Sequence, residues 1–473
     1  MESDYRMFVA VKAKVFTDAT GVYVEVPALL TPHGILEPLL DYFLWRSHDR
    51  SLSWMSKVVR SVRMFLEYLQ ANSAELNAYQ LFQNFAQRLY TGTFDRLTGL
   101  DPSDLCWSPH SPKDAGQIIA HLTDFFDWLG ETRPEAAKLN PRYACGAFDR
   151  QTDEAAYQYK RNKAFLGHAW AANAYPNATG HRIRSGRLPK IEHGEPPAFP
   201  DNRFEELLMK GFYAAGRHDY RGMLITLLLH GAGFRESEPF HLYIPDVFPD
   251  HVNPLRAKVL IHHPKYGAPP TDWQDKRGLL RKGNRAEYLA HQFGLMPRTD
   301  LLDRRHAGWK GGMHDAAYYK QAHWFLPEYG EWFLHLWPRY LEQVAQVERN
   351  HPFAFINIRR GSIGAMYTIA QYNKAHAAAC ERIGLPVSKA MGTTSHGHRH
   401  AYGRRLQSAG IDKAFIRRFM HHASLESQAV YTQANTRETQ AALDAAAQRL
   451  QSKHTGAPVT TGPLVGSSIK LND

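Results

Sequence analysis

The sequence predicts a mainly α chain with small β-sheets: two helix-rich domains, the second of mixed α/β character, behind an N-terminal β-hairpin. Three observations carry that reading. The length, 473 residues, exceeds what one compact core holds. Apolar residues recur at helical spacing through residues 35–135 and again in several segments after residue 201. A stretch punctuated by Gly, Pro, Asn and Ser, residues 176–200, separates the two regions.

The elements follow in order. Residues 8–26 alternate, with Val9, Val11, Ala13 and Val15 on one face and Val22, Val24 and Val26 continuing it after Asp18-Ala-Thr-Gly21. That pattern is a hairpin, assigned to residues 1–30. A helical domain spans 31–175, where Val59, Val62, Leu66 and Leu69 form one stripe and Ile118, Leu122, Phe125 and Leu129 another. Lys57, Arg60 and Arg63 occupy a different face of the first of these helices. The linker, 176–200, carries Arg182, Arg184, Arg187 and Lys190. The second domain is placed at 201–435. It opens with helical segments Glu205–Tyr213 and Met223–His230, continues with strands Phe240–Val247 and Lys258–His263, and returns to helix after Trp332 and at Tyr367–Ile383. A last helix is expected at 437–452, within a C-terminal region 436–473 whose polar tail is expected to be disordered. No internal repeat is visible.

Composition narrows the function class. Apolar residues make up 44%, aromatic 12% and charged 22%. No run of 18 apolar residues occurs, so no membrane span is expected. The N-terminus lacks a signal-peptide layout, and Cys106, Cys145 and Cys380 are too scattered for a disulfide framework, which points to a reducing, cytoplasmic setting. The net charge of +11 and a sequence pI of about 9.3 favour a polyanionic partner, since each cation that neutralises a phosphate releases a counterion. On that reading the hairpin is either a small DNA-contacting arm or a strand pair covering a helix end; the second is preferred. A basic helix at 57–63 and a basic linker suit a chain that wraps a duplex.

Two stretches carry chemistry. In LLLHGAGFRESEPFHLYIPDV, residues 227–247, a helix ends in a Gly turn, Arg235 follows at once and Glu238 comes three residues later. A guanidinium held by a turn suits a phosphate, to which it gives two parallel hydrogen bonds. In residues 393–434, His396 and Arg399 share a helical face, His422 lies beyond a second helix at Asp412–Met420, and Tyr431 follows nine residues after His422.

Taken together these residues resemble the tyrosine recombinase, or phage integrase, family. The pattern is Arg235 with Glu238, then His396-Gly-His-Arg399-His400, then His421-His422-Ala-Ser424, then Tyr431. The likeness is specific over 201–435 and loose over 35–135. One position departs: the family has Gly where this chain has His421, and a Gly there lets the backbone turn tightly. His421 is expected to occupy it with modest strain.

The resemblance implies a helical core-binding domain followed by a mixed α/β catalytic domain, and a site-specific recombinase acting on double-stranded DNA, as a tetramer on DNA, with accessory proteins of a mobile element as further partners. It implies that Arg235 and Arg399 bind the non-bridging phosphate oxygens and that Tyr431 attacks phosphorus to give a covalent 3′-phosphotyrosine. His396 and His422 assist, Glu238 orients a neighbour, and His400 joins the DNA-binding set with Lys57, Arg60, Arg63, Arg182, Arg184, Arg187 and Lys190. A hairpin lysine protonates the leaving 5′ oxygen. Here that hairpin is interrupted by an insertion at about 266–322, with the partner strand expected near His323–Pro327. Lys265, directly after the first strand, is the first candidate, Lys310 in AGWKGGM the second and Lys320 the third. Trp309 and the aromatic run His323–Trp337 are read as core of the insertion. The cluster His396, His398 and His400 raises a metal reading, but no Cys or carboxylate pattern accompanies it, so no metal and no cofactor are expected. A relaxing topoisomerase or hairpin telomere resolvase of the same chemistry, and a catalytically idle DNA-binding protein of a mobile element, stand as alternatives.

Overall fold

The structure is a computed structural model that describes residues 7–72, 77–95, 97–133, 139–144, 196–274, 278–313, 317–358 and 361–422, with short pieces between residues 151 and 183. Tyr431, Ser424, the expected helix at 437–452, the tail, and Arg182, Arg184, Arg187 and Lys190 lie outside the described residues. The chain divides into two compact units: residues 1–191 with 299–308, and residues 192–298 with 309–473. Among the described residues, no helix is long and apolar enough to cross a membrane. The architecture is mainly helical with small antiparallel sheets.

In the first unit, β1 (Val9–Phe16) and β2 (Tyr23–Thr31) pair antiparallel from Val9↔Leu30 to Phe16↔Tyr23, and β3 (Gly34–Ile35) adds a short third strand. Four helices follow: α1 (Glu37–Arg46), α2 (Leu52–Ala71), α3 (Ala78–Thr91) and α4 (Pro112–Thr132). Their starts are written in the sequence as caps. Ser51 accepts from the Trp54 amide, Asn77 and Gln80 form a reciprocal capping box, and Ser111 accepts from the Asp114 amide. Val26 and Leu29 of β2 belong to the same core as Leu39, Phe43, Val58, Val62, Phe85 and Leu122, so the strand pair covers the helical layer. On α2, Lys57 and Arg60 are exposed opposite the buried Val58, Val59 and Val62, while Arg63 is half-buried and pairs with Glu67 at 3.3 Å. Two further short strands, β4 (Arg142–Ala144) and β5 (Thr179–His181), pair with each other.

The second unit is built around α5 (Tyr220–Ala232), which is buried on every side from Arg221 to Ala232. A helix apolar all round belongs inside a core. Before it, Phe204–Glu206 and a π-turn at Leu207–Gly211 lead into a two-stranded ribbon, β6 (Tyr213–Ala214) and β7 (Arg217–His218). After it come β8 (Val247–Pro249), β9 (Ala257–His262), α6 (Arg285–Phe293), β10 (Tyr319–Gln321), α7 (Pro327–Val344), α8 (Ile369–Arg382), α9 (Ser395–Ser408) and α10 (Lys413–Phe419). Strands β8, β9 and β10 form an antiparallel sheet with β9 in the centre.

Two expectations are corrected here. Phe240–Val247 is not a strand; 3-10 turns occupy Glu238–His241 and Ile244–Asp246, and strand begins only at Val247. Pro239 and Pro245 explain it, since neither has an N–H to give a ladder. The partner of β9 is Tyr319–Gln321, with Lys320 opposite Ile261, and not His323–Pro327, where Pro327 instead opens α7. A lysine is the buried residue of that strand, which hides it from any apolar pattern.

Two buried arginines fasten part of the insertion between β9 and β10. Arg285 of α6 reaches Asp246 Oδ1 at 2.5 Å, donates to the carbonyls of Ala268 and His241, and lies 3.9 Å from the Tyr243 ring centroid. Arg298 donates to the carbonyls of Phe240 and Tyr367.

Candidate active site

The site begins where α5 stops. Gly233 takes the left-handed conformation, φ 68°, that ends many helices, and a Cβ there would collide with the Tyr402 ring. The chain then turns through Phe234 into Arg235. Glu238, three residues on, is fully buried and accepts twice from that arginine: its Oε2 from the Arg235 amide at 2.7 Å and its Oε1 from Arg235 Nη1 at 3.2 Å. The turn predicted to fix the guanidinium therefore does so through Glu238.

A second cation meets the same carboxylate. Lys320 Nζ, from the buried centre of β10, lies 2.6 Å from Glu238 Oε1 and donates to the Lys310 carbonyl at 2.7 Å. The ammonium is 4.1 Å from the Trp309 ring centroid, a cation–π distance. Arg235 Nη1 also lies 3.1 Å from the Lys310 carbonyl and 3.2 Å from the His421 carbonyl. Gly311, at φ 93°, permits this approach, because a Cβ would strike the His421 carbonyl and the Arg235 guanidinium. Burial pushes the Glu238 carboxyl up, but Lys320, Arg235 and Arg399 outweigh it and hold it well below the usual carboxylate range. Burial pulls the Lys320 ammonium down; Glu238 opposes that, and Arg235 and Arg399 add to it.

Arg399 arrives from α9. It is 3% exposed, donating from Nη1 to the Gly233 carbonyl and from Nη2 to the Met420 carbonyl at 2.6 Å. His396 lies one turn earlier on α9, where the protein packed around part of its ring and nearby Arg399 lower its basicity. His400 packs edge-on against it at 4.5 Å and is lowered to about 4, by burial first and then by His396 and Arg399.

After α10 the chain reverses at His421, which adopts φ 52°, the left-handed region that favours Gly. The ring makes two contacts there: it stacks on Phe234 at 5.1 Å, and its Nε2–H donates to the Gln321 carbonyl at 3.2 Å. His422 follows, 3% exposed, its amide bonded to the Arg417 carbonyl at 3.0 Å.

Arg235, Glu238, Arg399 and the His421–His422 turn thus come together from segments up to 186 residues apart. Among the three lysines, Lys320 meets Glu238; Lys310 contributes its carbonyl while its side chain is exposed; Lys265 is half-buried in the turn after β9, its amide bonded to His263 Nδ1 at 3.1 Å. What marks Lys320 is its register opposite Ile261, a feature of strand pairing and not of local sequence. Trp309 packs on Lys320, and Trp324 and Trp337 pack around Phe333, within 5.5 Å and 5.8 Å. Among the described residues, no group of three or more His, Cys, Asp or Glu is arranged to hold a metal ion.

No family model matches the sequence, and no curated protein matches it. Solved structures do match. One is the XerH site-specific recombinase bound to difH substrate in a pre-cleavage complex, at 13% identity and TM-score 0.45, covering 85% of this chain and 82% of that one. Another is a lambda integrase dimer bound to a COC′ core site, at 10% identity and TM-score 0.42, covering 85% and 96%. A third is the Tn1549 transposon integrase in complex with transposon right end DNA, at 12% identity and TM-score 0.34, covering 82% and 99%. The solved structures to which this chain is similar are tyrosine recombinases and integrases.

Proposed function

We propose that the chain is a tyrosine recombinase that cuts and rejoins DNA strands through a covalent bond between Tyr431 and the 3′ phosphate of the cut strand. The observation that carries this reading is the convergence of Arg235, Glu238, Lys320 and Arg399 on one cluster, in a chain whose motif order sets Tyr431 nine residues after His422.

The chemistry follows from the residue types. A phosphodiester repels nucleophiles by its anionic oxygens, and Arg235 and Arg399 neutralise charge that grows on those oxygens in an in-line displacement. The Tyr431 hydroxyl passes its proton to one of the assisting histidines, His396 or His422, and its oxygen forms the new bond to phosphorus as the bond to the 5′ oxygen breaks. Lys320, its ammonium proton loosened by burial, gives that proton to the leaving oxygen. Glu238 is a positioning residue that holds Arg235 and Lys320 to one point. A 5′ hydroxyl from another duplex reverses the step and joins it, with no ATP or metal. Lys57 and Arg60, exposed on α2, would take backbone phosphates, with Arg182, Arg184, Arg187 and Lys190 of the linker. Exchange between two duplexes calls for four protomers.

The test is covalent trapping on nicked duplexes carrying the ends of the host element. The wild-type protein is expected to form an adduct that maps to Tyr431, and Tyr431→Phe to form none. An unchanged adduct with Tyr431→Phe, or no adduct with wild type, sinks the proposal. Joining of two duplexes separates recombination from relaxation of supercoils by a lone protomer.

One observation favours a second reading, DNA binding without cleavage: Arg399 is 3% exposed, with both terminal nitrogens on backbone carbonyls. DNA binding with no adduct would support it.

A further inference from the structure

Behind the site lies a polar chain that the proposed reaction does not use. His230 of α5, His398 of α9 and His376 of α8 are 0%, 0% and 1% exposed, and their rings bond in series. His230 Nδ1 is 3.1 Å from His398 Nδ1, and His398 Nε2 is 2.8 Å from His376 Nε2. Phe199 stacks on His398 with centroids 4.2 Å apart, and Phe204 on His230 at 3.7 Å.

One end of the chain fixes its direction. Arg405 Nη1 is 2.8 Å from His230 Nε2, and a guanidinium only donates. Asp201 Oδ1 also stands 3.3 Å from that nitrogen, but it is exposed and already held by Arg405 Nη1, so the shorter contact to the donor-only guanidinium makes His230 Nε2 the lone-pair nitrogen; His230 then carries its proton on Nδ1 and donates to His398 Nδ1. His398 then carries its proton on Nε2 and donates to His376 Nε2. His376 in turn carries its proton on Nδ1, 3.8 Å from Cys380 Sγ, and the thiol faces the Thr393 carbonyl at 3.8 Å. Every ring is neutral, and each has one assigned tautomer. The charged and titratable groups facing the chain are Arg405 with Asp201 at the outer end, Tyr329 from α7, and Cys380 and Tyr372 from α8. Burial lowers the basicity of all three rings, with Arg405 adding to it at His230, and His376, His230 and Arg405 at His398, which agrees with neutrality.

The chain joins three helices at the level of the site. On α9, Arg399 caps the Gly233 carbonyl, Tyr402 covers Gly233 and Arg405 caps the His230 carbonyl, all three meeting the C-terminal end of α5. Cations at that end satisfy its unpaired carbonyls. His398 immediately precedes Arg399, so the hydrogen bonds that hold His398 also set where Arg399 stands.

We propose that His230, His398 and His376 are positioning residues: a neutral, one-way imidazole chain, oriented by Arg405, that fixes α9 against α5 and so places Arg399. The inference rests on the reading of Arg399 as a phosphate-binding residue. A metal centre does not fit the distance, because nitrogens sharing one tetrahedral zinc stand about 3.3 Å apart at Zn–N bonds of about 2.0 Å, wider than the 2.8 Å between His398 and His376.

Two measurements on the full chain test it. Histidine-selective nitrogen-15 NMR at neutral pH is expected to show His398 protonated on Nε2 only, and His230 and His376 on Nδ1 only. An imidazolium, the opposite His398 tautomer, or stoichiometric zinc in the purified protein overturns the chain. The second compares His376→Gln, whose carbonyl oxygen still accepts from His398, with His376→Leu, which fills the space without accepting. The Gln variant is expected to trap DNA within about threefold of wild type, and the Leu variant to lose at least tenfold while keeping its unfolding midpoint and DNA affinity. Equal trapping by both overturns the positioning role. If wild type forms no adduct, the proposed function fails and the positioning role with it, while the NMR pattern still decides the chain itself.

Discussion

Lys320 and Glu238 form an ion pair in which neither side chain reaches solvent, Nζ lying 2.6 Å from Oε1. Removing two charges from water costs several kcal/mol per ion, which close geometry and further hydrogen bonds offset. Here the extra bonds are present: Glu238 also holds the Arg235 amide and guanidinium, and Lys320 also holds the Lys310 carbonyl. The pair is thus the joint at which β10 meets the turn after α5.

Lys320→Met is expected to slow strand cleavage by about 10²–10⁴-fold, the range for loss of a general acid. A substrate whose 5′ bridging oxygen is replaced by sulfur leaves without a proton, so it should restore most of the rate to this variant. It should not rescue Arg235→Ala, whose defect is charge on the phosphate. Single-turnover rates on both substrates check this; equal rescue of the two variants rules out the acid role.

Glu238→Gln leaves Lys320 charged and buried without its partner, which typically costs about 3–5 kcal/mol. Adding Lys320→Met removes the stranded charge, so the double variant should regain most of that stability without regaining cleavage. Because the folded carboxyl is depressed, its stabilisation is complete above the unfolded value of 4.5 and is lost as pH falls through the depressed folded value. Denaturant unfolding from pH 7 downward should show a smaller acid loss below 4.5 in the double variant than in wild type.

Much of this arrangement is legible in the sequence. Arg235 and Glu238 follow a helix-ending Gly turn, and His396 with Arg399 is a local helical pair, so chain order and spacing carry them. The lysine is not legible that way. Lys320 sits in a three-residue strand whose register opposite Ile261 is set across an insertion, and no local pattern encodes a pairing over that distance. Phe240–Val247 fails as a strand for a local reason: its apolar residues suit one, but Pro245 within it and Pro239 just before it cannot join a ladder. The imidazole chain was hidden because His230, His376 and His398 lie on three different helices.

His421 tests how a side chain tolerates a position built for Gly. At φ 52° any Cβ meets steric cost, so Gly in place of Ala at this position should be worth about 1 kcal/mol. Both His421→Ala and His421→Gly lose the stack on Phe234 and the bond to the Gln321 carbonyl. The difference between the two variants isolates the backbone term. Unfolding free energies should place His421→Ala below His421→Gly by about that amount, with both below wild type. A reversed order would mean that the left-handed turn is not under strain.

The histidine chain predicts how stability depends on pH. His376 is lowered from 6.5 to about 4 by burial, so the folded protein refuses a proton that the unfolded chain accepts. In that window the unfolded state binds more protons, and stability must fall as pH falls from 6.5 toward about 4; above 6.5 this residue contributes no slope. The slope from one such group is about 1.4 kcal/mol per pH unit. His230 and His398, lowered in the same direction, add to it, and protonation of any ring sets a donor against a donor along the chain. His376→Leu removes one proton acceptor from the unfolded state and should flatten the stability curve below 6.5 by about that single-group slope. Denaturant unfolding of wild type and variant at half-unit steps between about pH 5 and pH 7.5 reads the difference directly. Parallel curves would mean that His376 is already charged in the folded state, and the one-way neutral chain would fall with it.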